Sequence, residues 1–506
     1  MTDIKTGVIN GVLSKYALPF LVFLSSAFFM FYNLDGRLLW QDEAQTALIA
    51  KTVVEKGLPY GTDGVHSFSQ DAGAEYGENL LWKYHPWLQF YLAAASVSVF
   101  GESDFAFRFP FALFGFLTVV LVYFMTLKLT GCRRAALFAA FAAAFSAALI
   151  LLSRQCRYYS PAIFFSAASI FFYAAAAAEG GNRYKILLAV SLFFLFHSMY
   201  LNFYILLSAL VFHQALFARF KDKTTAAALL APLLLSLPFS LFIYGTGQSL
   251  IISPKIYLNA FITYGVYTIK YLFPFFMIPT AVAACVICCR DKKNILRQIS
   301  PLTAVSIMFV AVSLISLPFF SGISFAYRNL ACIIVPLVYL GCVSASVLYG
   351  KNKILGAAVI AAFIAAGPIH KAAAGVIKTP GESARCAVEY LNTNSKPGEK
   401  LLVTYPDLPF KLYTKLKVYG GLTGGPVEEA GEPDYIIMKE IKLTEMERVS
   451  ARYVAENLDA AMYEAVRFDC PDKYWENRED LVNHDYDGGE RLPRLVMYRK
   501  IPKVRR

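Results

Sequence analysis

Two carboxylates and three cations stand in this chain at the positions where chemistry at a membrane surface would need them. Asp42 and Glu43 are adjacent in Trp40-Gln41-Asp42-Glu43-Ala44, a few residues past the apolar run 16–33. Lys83 opens the stretch Lys83-Tyr84-His85-Pro86-Trp87. Arg157 lies in Ser153-Arg154-Gln155-Cys156-Arg157-Tyr158-Tyr159, and Arg328 follows Tyr327 at the head of a late apolar run. Adjacent carboxylates are costly to bury and easy to use where water can reach them. A carboxylate so placed can take a proton from a hydroxyl, and guanidinium or ammonium groups can hold an anion as its charge develops. Groups at a membrane–water boundary touch a lipid headgroup and an aqueous substrate at once, which points to an enzyme acting on lipid-linked material.

The elements that must position these residues are mostly membrane spans. The chain has 506 residues, 57% hydrophobic and only 17% charged, against about a quarter charged in an average soluble domain. Apolar runs fall near 16–33, 107–129, 135–152, 161–178, 186–217, 226–244, 267–289, 302–320, 330–349 and 354–369. Runs of about 18 or more such residues read as transmembrane helices. The net charge of +12 does not call for nucleic acid, because the basic residues form short clusters between apolar runs. Those clusters are Arg133-Arg134, Arg183/Lys185, Arg219/Lys221/Lys223, Arg290/Lys292/Lys293/Arg297 and Lys351/Lys353. The positive-inside rule puts them in the cytoplasm with Lys5 and Lys15. Residues 34–106, 153–160, 245–266, 321–328 and everything past about 370 then face outward.

This accounting decides two stretches. The run 186–217 would be about 48 Å as one helix and would put the next cluster outside, so it is expected to break near His197–Asn202. The stretch 87–100 is too short to span and is expected to lie along the outer interface, anchored by Trp87 and Tyr91. The expectation is a polytopic α-helical membrane protein of about eleven spans, residues 1–370. Its N-terminus is cytoplasmic, and its external loop 34–106 carries juxtamembrane helices. Residues 371–506 are expected to form an external α/β domain, with a helix at 384–392 and strands at 400–405, 435–439 and 492–499. Of nine cysteines, Cys285, Cys288 and Cys289 read as packing residues rather than a metal site. Cys386 and Cys470 could pair in an oxidising compartment.

In this order, the four polar clusters resemble the GT-C superfamily of membrane glycosyltransferases. The nearest branch is family 39, which includes protein O-mannosyltransferases and the transferase that adds aminoarabinose to lipid A. WQDEA resembles the family's Asp-Glu pair in the first external loop. KYHPW followed by Gly101-Glu102-Ser103-Asp104-Phe105-Ala106-Phe107-Arg108 resembles its Lys/His-Pro element and G-x-S-x-x-F-A-x-R stretch. SRQCRYYSP is similar to its S-R-x-x-R-x-Y segment, and YRNLACIIVP to its arginine-led late helix. The resemblance covers about residues 1–350. Trp87 replaces the family's second proline, and Trp82 stands where the aminoarabinose branch carries a metal-binding Glu.

The resemblance implies an inverting enzyme of a bacterial-type inner membrane. It would move a sugar from a polyprenyl-phosphate donor to an acceptor hydroxyl on a lipid, glycan or protein. The leaving group is already good, so the reaction needs a base and cations for the phosphate. Asp42 is the candidate base, with Glu43 orienting it or binding a divalent cation. Lys83, Arg157 and Arg328 are the candidates for the phosphate. His85, Tyr158, Tyr159, His197 and Tyr327 are candidate substrate contacts, with a structural role competing at both histidines. Asp104 and Arg108 are expected to pair and fix the surface helix. The alternative is a transporter or lipid flippase. Transporters, however, place ionisable residues near the bilayer midplane and often show repeats, whereas here the charges gather at one interface.

Overall fold

A computed structural model describes residues 2–71, 73–218, 222–243, 253–274, 276–290, 300–320, 326–366, 369–377, 383–404, 406–423, 427–438, 445–472, 481 and 493–502. Arg219, Lys221, Lys292, Lys293 and Arg297, along with parts of the expected 245–266 and 321–328 segments, lie outside the described residues. The chain divides into two compact units, one of residues 1–32 and 111–376, the other of residues 33–110 and 377–506.

The first unit is helical. Among the described residues six helices are long and apolar enough to cross a membrane, eight if each of two bent pairs counts as one span. The count expected from the apolar runs, eleven, is therefore not reached by this measure. The shortfall comes from helices shorter than a full span: Ala17–Phe31, Asn182–Ser198 with 17 residues and Lys353–Ala366 with 14. The run 186–217 does break, at Met199 (φ −154°, ψ 90°), between Asn182–Ser198 and Tyr200–His213. The run at 267–289 starts earlier than its composition suggests: Pro254–Tyr267 continues as a π-helical turn, Thr268–Leu272, before Met277–Arg290. Lys223–Ile243 exposes Leu230, Leu234, Leu235 and Leu241, as a helix facing lipid should.

Ion pairs fix the polarity of this unit. Lys128 meets Glu179 at 2.6 Å and Lys185 meets Asp222 at 2.7 Å. The Arg134 guanidinium lies 5.7 Å from the centre of the Tyr349 ring. These contacts gather Lys128, Arg134 and Lys185 at one end of the helices Asp104–Thr130, Tyr159–Glu179 and Ile334–Lys351. Arg157 and Arg328 precede the first residues of the last two, so both lie at the opposite end.

The second unit is built on a five-stranded sheet of order β2-β1-β3-β5-β4. The strands are β1 (Lys400–Val403), β2 (Lys417–Gly420), β3 (Tyr435–Ile437), β4 (Tyr463–Pro471) and β5 (Arg494–Lys500). β1 runs parallel to β2 and β3, with Leu402 opposite Tyr419 and Ile436, whereas β5 is antiparallel to β3 and β4. The three expected strands are present, somewhat shorter or shifted, and β2 and β4 are additions. The helix Ser383–Asn394 packs Ala387 and Leu391 against Leu401, Val418 and Met497. Leu38, from the segment that follows the first helix, belongs to the same cluster. Composition separates 1–370 from 371–506, whereas packing groups 33–110 with 377–506, because the polar 33–110 segment finds partners for its buried groups there. Cys386 and Cys470 are thiols within this core, so the suggested disulfide is not formed.

Candidate active site

The Asp42–Glu43 pair begins a helix, Gln41–Lys56, whose first turn is buried. A helix N-terminus favours negative charge there. The two carboxylates are used differently. Glu43 is 1% exposed and receives Arg108 as a fork, Nε to Oε1 at 2.8 Å and Nη2 to Oε2 at 2.6 Å. Its Oε2 also accepts the Trp40 backbone N–H at 3.3 Å, the half of a capping box that reaches back to the helix start. Arg108 sends its other donors to the carbonyls of Leu34, Arg37 and Leu38. Asp42 keeps more of its surface, 8%, and its Oδ1 accepts Gln70 Nε2 at 3.1 Å. Gln70 is held in turn by Glu75, whose carboxylate accepts the Gln70 N–H and the Gln45 side chain.

Arg108 thus forks onto Glu43, and its charge also acts on Asp104, four residues before it on the same helix. Asp104 accepts the Tyr413 hydroxyl at 2.5 Å, and that hydroxyl accepts the Leu39 N–H at 2.8 Å. Burial, then the Asp104 carboxylate, push the Tyr413 phenol well above its ordinary pKa, so it stays a neutral donor.

In the same unit, Lys83 and His85 follow a loop tied by bridges Tyr60–Leu81 and Tyr76–Trp82. The Lys83 side chain lies across Gly77, where a Cβ would come within 2.6 Å of Nζ. Trp82, fully buried, stacks on the His85 ring at 6.0 Å and 8°. At this position an indole therefore packs the loop. Among the described residues no three His, Cys, Asp or Glu side chains gather as a metal site.

The remaining candidates belong to the helical unit. Two arginines in SRQCRYYSP have separate tasks. Arg154 donates to the carbonyls of Phe29, Met30 and Tyr32, satisfying the open C-terminus of the first helix. Arg157, 3% exposed, lies 5.2 Å from the Tyr158 ring centre. The Tyr158 and Tyr159 rings meet edge-on at 4.7 Å. The Tyr159 hydroxyl is fully buried with no hydrogen-bond partner among the described residues. Arg328 sits on the 3-10 turn Tyr327–Ile333, half-buried, with Asn329 donating to the Tyr264 hydroxyl at 2.8 Å. His197 is enclosed by Phe193, Phe196 and Phe239, the surroundings of a packed ring.

One cation was missed. Lys270 lies on the π-helical turn over Tyr271, whose ring is 6.1 Å from that of Tyr327. With Ser146, Phe145, Val338 and Phe363, it lines a small, open cleft. The signal was available: a lone lysine inside the apolar run 264–276, on a π-turn of the kind that often marks function.

Residues 84–244 match the sequence profile of the family described as Dolichyl-phosphate-mannose-protein mannosyltransferase. The crystal structure of ArnT from Cupriavidus metallidurans in the apo state superimposes with a TM-score of 0.58 at 14% identity, over 97% of this chain and 98% of ArnT. The chain has the fold of ArnT. The structure of ArnT bound to undecaprenyl phosphate gives a TM-score of 0.56 at 15% identity, over 96% of this chain and 98% of that one. No curated protein matches at the sequence level. The fold is the polytopic membrane architecture with a C-terminal α/β region that the sequence led us to expect.

Proposed function

We propose that this protein is an inverting glycosyltransferase that moves a sugar from a polyprenyl-phosphate donor to an acceptor hydroxyl at the external face of an inner membrane. The observation that carries the reading is the unequal use of the two carboxylates. Glu43 is spent on Arg108 and the Trp40 amide, whereas Asp42 accepts the Gln70 side-chain amide and is 8% exposed against 1% for Glu43. The profile match to a mannosyltransferase family and the fold shared with a protein crystallised on undecaprenyl phosphate support the donor class.

In this reading the acceptor oxygen attacks the anomeric carbon from the face opposite the phosphate. The bond from that carbon to the phosphate oxygen breaks, and polyprenyl phosphate leaves with the bonding pair. The acceptor proton passes to Asp42. Arg157 and Arg328 hold the phosphate, with Lys83 and Lys270 as further cations. Tyr159 has a hydroxyl for a ligand to satisfy, and Tyr158 and Tyr327 offer aromatic surface. A lipid, glycan or protein acceptor fits the same chemistry.

The eleven-span topology belongs to this proposal. It adds the three short helices Ala17–Phe31, Asn182–Ser198 and Lys353–Ala366 to the eight spans given by length. The N-terminus is then cytoplasmic and the sheet domain external.

The test is a panel of undecaprenyl-phosphate-linked mannose, glucose and aminoarabinose offered to the full chain in nanodiscs, with envelope extract as acceptor. One donor should release undecaprenyl phosphate and yield a product of inverted anomeric configuration. Movement of the lipid across the bilayer without bond cleavage would overturn the reading in favour of a flippase.

A further inference from the structure

The carboxyl ends of the parallel strands β1 and β2 are where an open α/β sheet ordinarily takes its ligand. Here that place is filled by the chain itself. Asp407 follows β1 and is fully buried. Its Oδ1 accepts the Leu422 N–H at 3.2 Å and the Gln41 side-chain amide at 2.7 Å. Gly421, just past β2 with φ +68°, makes the approach possible: a Cβ there would lie 2.4 Å from Asp407 Oδ1. Gln41 completes the clasp by accepting the Leu408 N–H at 3.1 Å. On the other side, Asp407 Oδ2 pairs with Lys411 Nζ at 2.8 Å, with side chains 0% and 2% exposed. Lys411 Nζ also donates to the Ser67 carbonyl at 3.0 Å.

Both grips end beside Asp42. Gln41 is its chain neighbour at the helix start. Ser67 is three residues from Gln70, whose amide holds the Asp42 carboxylate. A buried ion pair is a poor way to gain stability, and apolar residues would serve that purpose as well. Its use as a registry device explains why it is here. We infer that Asp407 and Lys411 are positioning residues for transfer, acting through Gln41 and the 67–70 segment to fix the Asp42 carboxylate. The α/β domain is then a working part of the site, not an appendage. This rests on the reading of Asp42 as the base.

The experiment uses the full chain in nanodiscs and the donor panel above, with undecaprenyl phosphate as the binding probe and hydrogen exchange followed over residues 39–46. Gln41→Leu removes the clasp. Gln41→Glu sets a second carboxylate against Asp407. Each should lower turnover about 10–100-fold, the scale of a displacement near 1 Å. Binding of undecaprenyl phosphate should stay within about twofold, while exchange over 39–46 quickens. Gln41→Glu with Asp407→Asn restores a donor–acceptor pair toward residue 41 but turns an amide N–H against the Leu422 N–H, so turnover should recover only part of the way from the Gln41→Glu level. Wild-type turnover in a folded Gln41→Leu overturns the inference. So does a parallel fall of turnover, lipid binding and unfolding temperature, which marks a scaffold with no special bearing on Asp42. Asp42→Asn, run beside them, separates the two claims. If it is inactive while Gln41→Leu is normal, only the positioning role falls. If it turns over normally, the base assignment fails and takes this inference with it.

Discussion

Arg108 has five N–H donors, and the structure gives all five a partner: two on Glu43 and one each toward Leu34 and Leu38, with a second Nη1 contact to Arg37. Arg108→Ala leaves the Glu43 carboxylate buried without its cation and three carbonyls without a donor. Removing one partner of a buried pair costs about 3–5 kcal/mol. At about 2–4 °C per kcal/mol for a unit of this size, unfolding should come about 6–20 °C earlier. Arg108→Lys keeps the charge but loses the fork, and should recover roughly half of that. Glu43→Leu with Arg108→Met removes both charges. It should unfold within a few degrees of wild type while turnover stays lost, because the turn bearing Asp42 is no longer held. The assay is thermal unfolding in nanodiscs with turnover on the same samples. An unchanged unfolding temperature in Arg108→Ala would refute the buried fork. Full turnover in the double variant would refute its bearing on Asp42.

Two further outcomes follow from the geometry. Burial pushes the Asp63 carboxyl up, but the His66 ring and the His66 and Val65 amides outweigh it and hold the group at about 2. A depressed carboxyl stabilises the fold above the unfolded pKa near 4 and loses that contribution as pH falls toward 2. Asp63→Asn should therefore cost about 1 kcal/mol at pH 6, after allowing for the solvent exposure of the pair. The cost should shrink between pH 4 and 3 in chemical denaturation, and a difference independent of pH would contradict it. Arg328→Ala should weaken undecaprenyl phosphate binding by about 1.5–3 kcal/mol, roughly 10–150-fold in Kd, with Arg328→Lys between. Unchanged binding in a folded variant would make Arg328 a headgroup anchor.

The sequence was most legible where polarity was out of place. Asp42, Glu43, Lys83, Arg157 and Arg328 stand out against apolar surroundings, and the break at Met199 follows from charge bookkeeping across the membrane. It was least legible where the meaning of a residue depends on a distant partner. Nothing local marks Arg108 as the counterion of Glu43, 65 positions away, or Gln41 as the guest of Asp407, 366 positions away. β2 is four residues ending in glycine, too short for a pattern to show, whereas β4 carries the alternation of a half-buried strand, Val466, Phe468 and Cys470 toward the core between Arg467 and Asp469, and was overlooked. The span count exceeds the number of full-length apolar helices for a different reason. Composition registers apolar runs but not helix length, and Ala17–Phe31, Asn182–Ser198 and Lys353–Ala366 are apolar yet shorter than a full span.

The most direct test of the account is turnover of the undecaprenyl-phosphate-linked donor by Asp42→Asn. The substitution keeps the shape that accepts Gln70 Nε2 and removes the base. With undecaprenyl phosphate binding and unfolding temperature held near wild type, turnover should fall by about 10²–10⁴-fold. Near-normal turnover in a folded Asp42→Asn that binds the lipid would contradict the account at its centre.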